Sequence, residues 1–455
     1  MQSIFAHHAR LPQGWVTDLR LTVADGWIVT LEPGAVAQPQ DHCVMALVPA
    51  LANLHSHSFQ RAMAGMTETR VSGKESFWSW RKLMYQFVDH LTPEHYEAIA
   101  GLVFMEMLEA GYASVGEFHY VHHQSGGRPY AALGELSNRV FAAADLTGIG
   151  LTHLPVLYSY GGAGQVPLSG GQQRFGNDVA RYADLLSDCR SMVTKSLPSD
   201  ARVGIAPHSL RATAPQDLKE VLSLRSGAPV HIHIAEQPQE VTDISTWLGA
   251  RPVEWLLENC GVGADWCLIH ATHMTAQETR DLAQSGAVAG LCPITEANLG
   301  DGPFNGAAFL SHGGNFGVGS DSNVRISLSE ELRMLEYSQR LRDLARNVMV
   351  PQEGSVGTTL YLGAAEGGAQ ALGREAGRLE VGALADLMAF DTTHVSLCAL
   401  RPDQLLDGLC FASDDSVVSD VWSAGRHVVS GGRHAKRDQI IAAYASAVAA
   451  LLDAL

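Results

Sequence analysis

Positive charge is scarce in this chain: 31 lysines and arginines stand against 48 aspartates and glutamates over 455 residues, a formal charge of −17. That balance argues against nucleic acid or an anionic membrane as partner, since both need a basic face. A small anion stays open, because a few local arginines suffice for it. The cysteines are few and scattered (Cys43, Cys189, Cys260, Cys267, Cys292, Cys398 and Cys410), odd in number and without a C-x-x-C pair. Such usage predicts reduced thiols in a cytoplasmic protein rather than a disulfide scaffold. No uninterrupted run of about eighteen apolar residues offers a membrane span. The start, "MQSIFAHHARLPQGW", lacks the apolar stretch of a secretory signal. Short-period repeats and low-complexity linkers are missing too.

What the chain has is enough apolar material for a large core: 46% of residues, with mean hydropathy near zero. The length suits a (β/α) barrel with a small satellite domain. "WVTDLRLTVADGWIVTLEPG" reads as short strands broken by Asp-Gly and Pro-Gly turns. From about Leu47 to Phe316, short apolar runs alternate with helix-like stretches, the pattern of repeated βα units. Eight runs end in "LANLHSH", "SVGEFHY", "LTHLPVLY", "RVGIAPHSL", "PVHIHIAE", "WCLIHATH", "AVAGLCP" and "NFGVGSDS". Eight strands close a barrel. Near the end, "GRLEVGALADLMAFD" and "SDVWSAGRHVVSGGRH" return to the strand-and-turn style of the start. We therefore expect an α/β fold, a (β/α)8 barrel at 49–375, with a small β-sandwich domain assembled from both chain ends, 1–48 and 376–435. An amphipathic helix at 436–455 closes the chain.

The chemically capable residues gather at the C-terminal ends of the apolar runs, which in a (β/α) barrel form the active-site face. His55 and His57 alternate along a strand and so share one side, where both imidazoles can reach one ion. A lone H-x-H is a weak signal in a chain with twenty histidines. It strengthens because His231 and His233, Glu236, His270 and Asp321 stand at further strand ends. Of the pair in "HIHIAE", His231 lies deeper and is expected to be structural, while His233 projects at the mouth. Glu236, three residues on, is placed for proton transfer.

This order of motifs resembles the amidohydrolase superfamily and, within it, the deaminase and chlorohydrolase branch, over almost the whole chain. The resemblance implies one divalent metal held by His55, His57, His233 and Asp321. No lysine occurs in "RVGIAPHSLRAT", where binuclear branches carry a carboxylated one, so a single ion is expected. Three imidazoles and a carboxylate suit Zn2+, with iron the main rival. By the same resemblance Asp321 and His270 orient a water and take its proton, and Glu236 protonates the leaving nitrogen. The chain departs from the family's pattern at Glu296 in "LCPITEANLG", where many relatives have Asn, and at Ala50, where Gly is usual. Neither position is an implied ligand.

"LHSHSFQRAMAGMTE", "FWSWRKLMY", "EFHYVHH" and "PHSLRAT" look most like formiminoglutamate deiminases of histidine degradation, which convert N-formimino-L-glutamate and water to N-formyl-L-glutamate and ammonia. That likeness implies a small dicarboxylate substrate and a homodimer. Arg81 and Arg211 become candidates for the carboxylates, since guanidinium forks bind them bidentately. Tyr120 and His208 are helpers, and Gln60 is a hydrogen-bond acceptor for the formimino group. Trp78 and Trp80 are expected to pack rather than stack. Of His119, His122 and His123, at least two are expected to be ordinary surface residues, and His7 and His8 to have no part. Two readings remain open: an amidohydrolase deaminating an aromatic ring of the guanine or S-adenosylhomocysteine type (or a chlorohydrolase), and a barrel without catalysis serving as scaffold.

Overall fold

A computed structural model of the chain describes residues 1–69, 77–350 and 353–454, with the backbone alone at 77–82. Eight parallel strands form the barrel in two arcs. The first comprises Leu51–Ser56, Tyr112–His119, Gly150–Leu157 and a fourth strand broken into Arg202–Val203 and Ala206–Pro207; the second comprises Val230–Ile234, Trp266–His270, Val288–Leu291 and Asn315–Val318. Single parallel bridges close the ring, Ser56 with Asp321 on one side and Ile205 with Val230 and Ser209 with His233 on the other. Both seams run through residues singled out above, so closing the barrel also assembles its mouth.

The strands are buried along their whole length apart from the short fourth strand and Asn315. Full burial explains why they read as continuous apolar runs rather than alternating ones. Helix Val356–Ala371 lies against the first and eighth strands. Its approach depends on glycine: a Cβ at Gly367 would come within 1.9 Å of the Phe316 carbonyl oxygen.

The outlying strands of both chain ends are hydrogen-bonded as one continuous eight-stranded sheet. Leu387–Phe390 from the C-terminal part pairs antiparallel with His42–Pro49 from the N-terminal part. Helix Arg437–Leu452 packs on helix Pro93–Glu109 through Ile440, Leu102 and Met105. No described helix is long and apolar enough to cross a membrane.

Candidate active site

Four side chains from three parts of the chain meet at the barrel mouth. His55 Nε2 lies 3.2 Å from His57 Nε2 and 3.0 Å from His233 Nε2. Asp321 Oδ1 stands 3.5 Å from the first and 3.2 Å from the second. All four residues are buried. His57 donates its Nδ1–H to the Phe118 carbonyl at 2.9 Å, and His233 donates its own to the His208 carbonyl at 3.1 Å. With Nδ1 carrying the hydrogen, each Nε2 presents a lone pair to the cluster.

Lone pairs and a carboxylate oxygen so close together repel unless a cation is shared between them. The separations of 3.0–3.5 Å bracket the roughly 3.3 Å ligand-to-ligand edge of a tetrahedral site with bonds of about 2.0–2.1 Å. Residue chemistry and spacing therefore fit a divalent ion. Burial lowers His55 to about 3 and holds His57 and His233 down as well, which keeps the ligands unprotonated. For Asp321, burial works against the charge, but hydrogen bonding to His55 and the neighbouring imidazoles outweigh it and its carboxyl falls below the usual range.

Backbone geometry aims these groups. Ala235, His270, Ala271 and Asp321 all have positive φ, between 45° and 69°, a conformation costly for residues with a Cβ. Surrounding bonds impose it. Asp321 donates its N–H to the His55 carbonyl and accepts from the His57 N–H, each at 2.9 Å, and Asn323 Nδ2 reaches its carbonyl at 3.1 Å. Beside it, Gly319 lets the eighth strand approach the first: a Cβ there would lie 2.7 Å from both the N and O atoms of His55.

The second set stands around Glu236. His270 Nε2 is 3.8 Å from Glu236 Oε1 and 3.8 Å from Asp321 Oδ2. Burial pushes the Glu236 carboxyl up, toward the range where it both takes and gives a proton. At His270 burial is outweighed by Glu236, by the hydrogen bond to Glu296 and by Asp321, and the ring is pushed up to about 10. Arg211 Nη2 lies 4.0 Å from Glu236 Oε2, and its Nε lies 3.7 Å from Glu240 Oε2.

A cavity of about 550 Å3, including its open mouth, connects the two sets. Gln60, Tyr120, His208 and Arg211 line it, as does every metal-site residue except His55. Gln60 Nε2 donates to Tyr120 Oη at 2.6 Å, while Gln60 Oε1 is buried without a partner among the described residues. Tyr158 and Phe175 also line it and escaped sequence reasoning, since isolated aromatic residues carry no spacing signal.

Arg81 lies on helix Phe77–His90, but its side chain falls outside the described residues, as do those of Trp78 and Trp80. His231 is fully buried and donates Nε2–H to the Ala371 carbonyl at 2.8 Å, the structural place expected for it. His119, His122 and His123 correct the expectation of surface residues: all three are buried. His119 Nδ1 meets Tyr96 Oη at 2.9 Å, His122 donates to the Val156 carbonyl at 2.9 Å, and His123 reaches the Gly176 carbonyl at 2.9 Å. Glu296, which departs from the family's pattern without being a ligand, contacts His270 Nδ1 at 3.2 Å. Glu240 went unnoticed because its role depends on a neighbour four residues back.

Known proteins share this architecture. The family model described as the amidohydrolase family matches residues 46–428, and that of the N-terminal domain of formimidoylglutamate deiminase HutF matches residues 1–43. A formimidoylglutamate deiminase of Pseudomonas aeruginosa is 48% identical over the full length of both chains. A 5-methylthioadenosine/S-adenosylhomocysteine deaminase of Natronomonas pharaonis is 27% identical over 85% of this chain and 80% of its own. The crystal structure of an amidohydrolase from Brucella melitensis superposes with a TM-score of 0.95 at 48% identity, covering 99% of this chain and 100% of that one. A Xanthomonas campestris adenosine deaminase with bound zinc shares the fold at a TM-score of 0.81 and 22% identity, over 99% of this chain and 98% of that one. With its four-ligand cluster at the mouth of a closed barrel and matches of this extent, the chain belongs to the amidohydrolase family.

Proposed function

We propose that this chain hydrolyses N-formimino-L-glutamate to N-formyl-L-glutamate and ammonia, the deiminase step of histidine degradation. The observation that carries the reading is the full-length match, at 48% identity, to the Pseudomonas aeruginosa deiminase. His55, His57, His233 and Asp321 would hold one divalent ion, and we take it to be zinc from the donor set. Such an ion would acidify a water bound to it and so supply the nucleophile near neutral pH.

The chain's own residues do the rest. Asp321 Oδ1 turns toward the ligand histidines, which leaves Oδ2, 3.8 Å from His270 Nε2, to accept the water's proton. His270 orients that water. Glu236, as a carboxylate, holds the cationic amidinium, takes the hydroxyl proton of the tetrahedral centre and passes it to the nitrogen, so that ammonia rather than an amide anion departs; the proton on Asp321 leaves to solvent. Gln60 Oε1, without a partner among the described residues and beside the cavity, accepts a hydrogen bond from the formimino N–H. Arg211 binds a substrate carboxylate at the edge of its contact with Glu236, with Tyr120 and His208 alongside; Arg81 would take the second carboxylate.

The assignment extends to a barrel at 49–375 inserted between 1–48 and 376–435 of the small β domain, a closing helix at 436–455, a homodimer, and a cytoplasmic location. A ring-deaminating reading has one observation in its favour, the aromatic side chains of Tyr120, Tyr158 and Phe175 lining the cavity. Retention of all four ligands with Glu236 and His270 speaks against a scaffold. Ammonia release measured side by side from formiminoglutamate, guanine and S-adenosylhomocysteine decides between the others. Turnover of formiminoglutamate is expected, and turnover of guanine or S-adenosylhomocysteine alone would overturn the assignment.

A further inference from the structure

Glu296 occupies the fourth position of helix Pro293–Leu299, which follows the seventh barrel strand. Its Oε1 accepts the backbone N–H of Cys292 at 2.9 Å, so the carboxylate folds back over the start of its own helix. The same oxygen lies 3.2 Å from Nδ1 of His270, on the neighbouring sixth strand. Both side chains are buried, at 5% and 0% exposure. A carboxylate oxygen that already accepts one N–H and faces an imidazole nitrogen also accepts the imidazole N–H. His270 therefore keeps a hydrogen on Nδ1, and the ring is fixed by a partner on the helix that follows the next strand. Its opposite nitrogen, Nε2, is the one turned to Glu236 Oε1 and Asp321 Oδ2, at 3.8 Å from each.

From this geometry we infer that Glu296 is a positioning residue for the deamination: by accepting the Nδ1–H it sets the rotation of the His270 ring, so that Nε2 faces the reacting atoms. An imidazole ring has two orientations related by a flip about its long axis, and strand position alone does not choose between them. His270 also sits at a φ of 69°, so its Cβ direction is unusual and the ring gains little guidance from ordinary strand rotamers. The buried carboxylate supplies the missing constraint. The inference rests on the proposed reaction for its kinetic consequence, though not for its structural one.

The bland alternative is that Glu296 merely caps its helix. Glu296→Gln keeps both contacts and Glu296→Ala loses both, so the readout separates the roles: loss of a mere cap would lower stability and leave kcat unchanged. We expect Glu296→Ala to lower kcat by about 10- to 100-fold, in line with losses on removing a residue that orients an active-site histidine. KM is expected to change less than about twofold, metal content to stay at the wild-type value, and Glu296→Gln to recover at least half of the logarithmic loss. Nitrogen-15 NMR of histidine-labelled wild-type holoenzyme gives a second, activity-independent reading: His270 Nδ1 should carry a hydrogen, and should keep it in Glu296→Gln. An unprotonated Nδ1 in the wild type overturns the inference even if Glu296→Ala fails to fold. So does an alanine variant with wild-type kcat, or one whose kcat and metal content fall together. Absence of formiminoglutamate turnover by the wild type would sink the substrate assignment while leaving the NMR test of Glu296 intact.

Discussion

A histidine is readied to hold a metal here through the hydrogen bond on its far side. His57 and His233 each commit Nδ1–H to a backbone carbonyl, which leaves Nε2 as the only nitrogen able to meet an ion. Sequence alternation places both rings on the correct side of a strand, yet it says nothing about which nitrogen points inward. Arg211 shows the same limit. Its position just past a strand end is legible, but its contacts with Glu236 and Glu240 come from a different barrel unit. On the proposed reading a substrate carboxylate enters beside those two carboxylates, and the arginine would serve both. Replacing Arg211 with Met is expected to lower kcat/KM for formiminoglutamate by about 10- to 100-fold, mostly through KM, the loss of charge-assisted hydrogen bonds of about 1.5–3 kcal/mol. Steady-state kinetics at saturating metal check this. A fall confined to kcat would mean that Arg211 serves Glu236 rather than the substrate.

At the scale of elements, the eight strands were recognisable because parallel strands buried on both faces read as short apolar runs. The fourth is the exception: broken into Arg202–Val203 and Ala206–Pro207, it keeps its place through bonds such as His231 N–H to the Ile205 carbonyl at 3.0 Å. Turn geometry after the strands was not legible either. Positive φ at Ala235, His270, Ala271 and Asp321 involves neither Gly nor Asn, the residues that usually announce it. Only the cross-strand bonds hold it. The seam between first and eighth strands is a tight place of this kind, because Gly319 meets His55 backbone atoms that cannot move aside. Gly319→Ala is expected to separate His55 from Asp321. Metal affinity should fall at least about tenfold, and the protein should be destabilised by about 1–3 kcal/mol, typical of overpacking. Metal titration together with urea unfolding tests it. A fully stable, metal-loaded alanine variant would show that the seam is looser than its geometry implies.

Over the whole molecule, the C-terminal part of the chain is tied to the barrel by buried charge. Arg374 is buried between Asp386 at 3.0 Å and Asp200 at 3.2 Å, and Arg426 also reaches Asp200, at 2.7 Å. Such pairs weigh little as net stability and more as a fixed arrangement, since removing one partner strands the others. Buried histidines set the acid response. Burial brings His153 to about 3 and His231 to about 4, against roughly 6.5 in an unfolded chain. Between those values the unfolded chain binds protons that the folded one refuses. Stability is therefore full above about pH 6.5 and declines as pH falls, by about 1.4 kcal/mol per pH unit for each such histidine. Metal-stripped protein should show a urea midpoint that drops from pH 6.5 to pH 5, with a shallower drop in His153→Gln. A flat profile would mean that these rings pick up protons without unfolding.

The sequence by itself determined which residues can bind metal and move protons, and that they stand at strand ends. The twofold repeat of a strand and the polarity of a (β/α) barrel need no coordinates. Tertiary structure alone decided how those residues face one another: which imidazole nitrogen points inward, that Arg211 stands between two carboxylates, that Glu296 touches His270, and that His119, His122 and His123 are interior. Each of these depends on contacts between strands far apart in sequence, and such pairings leave no periodic trace along the chain.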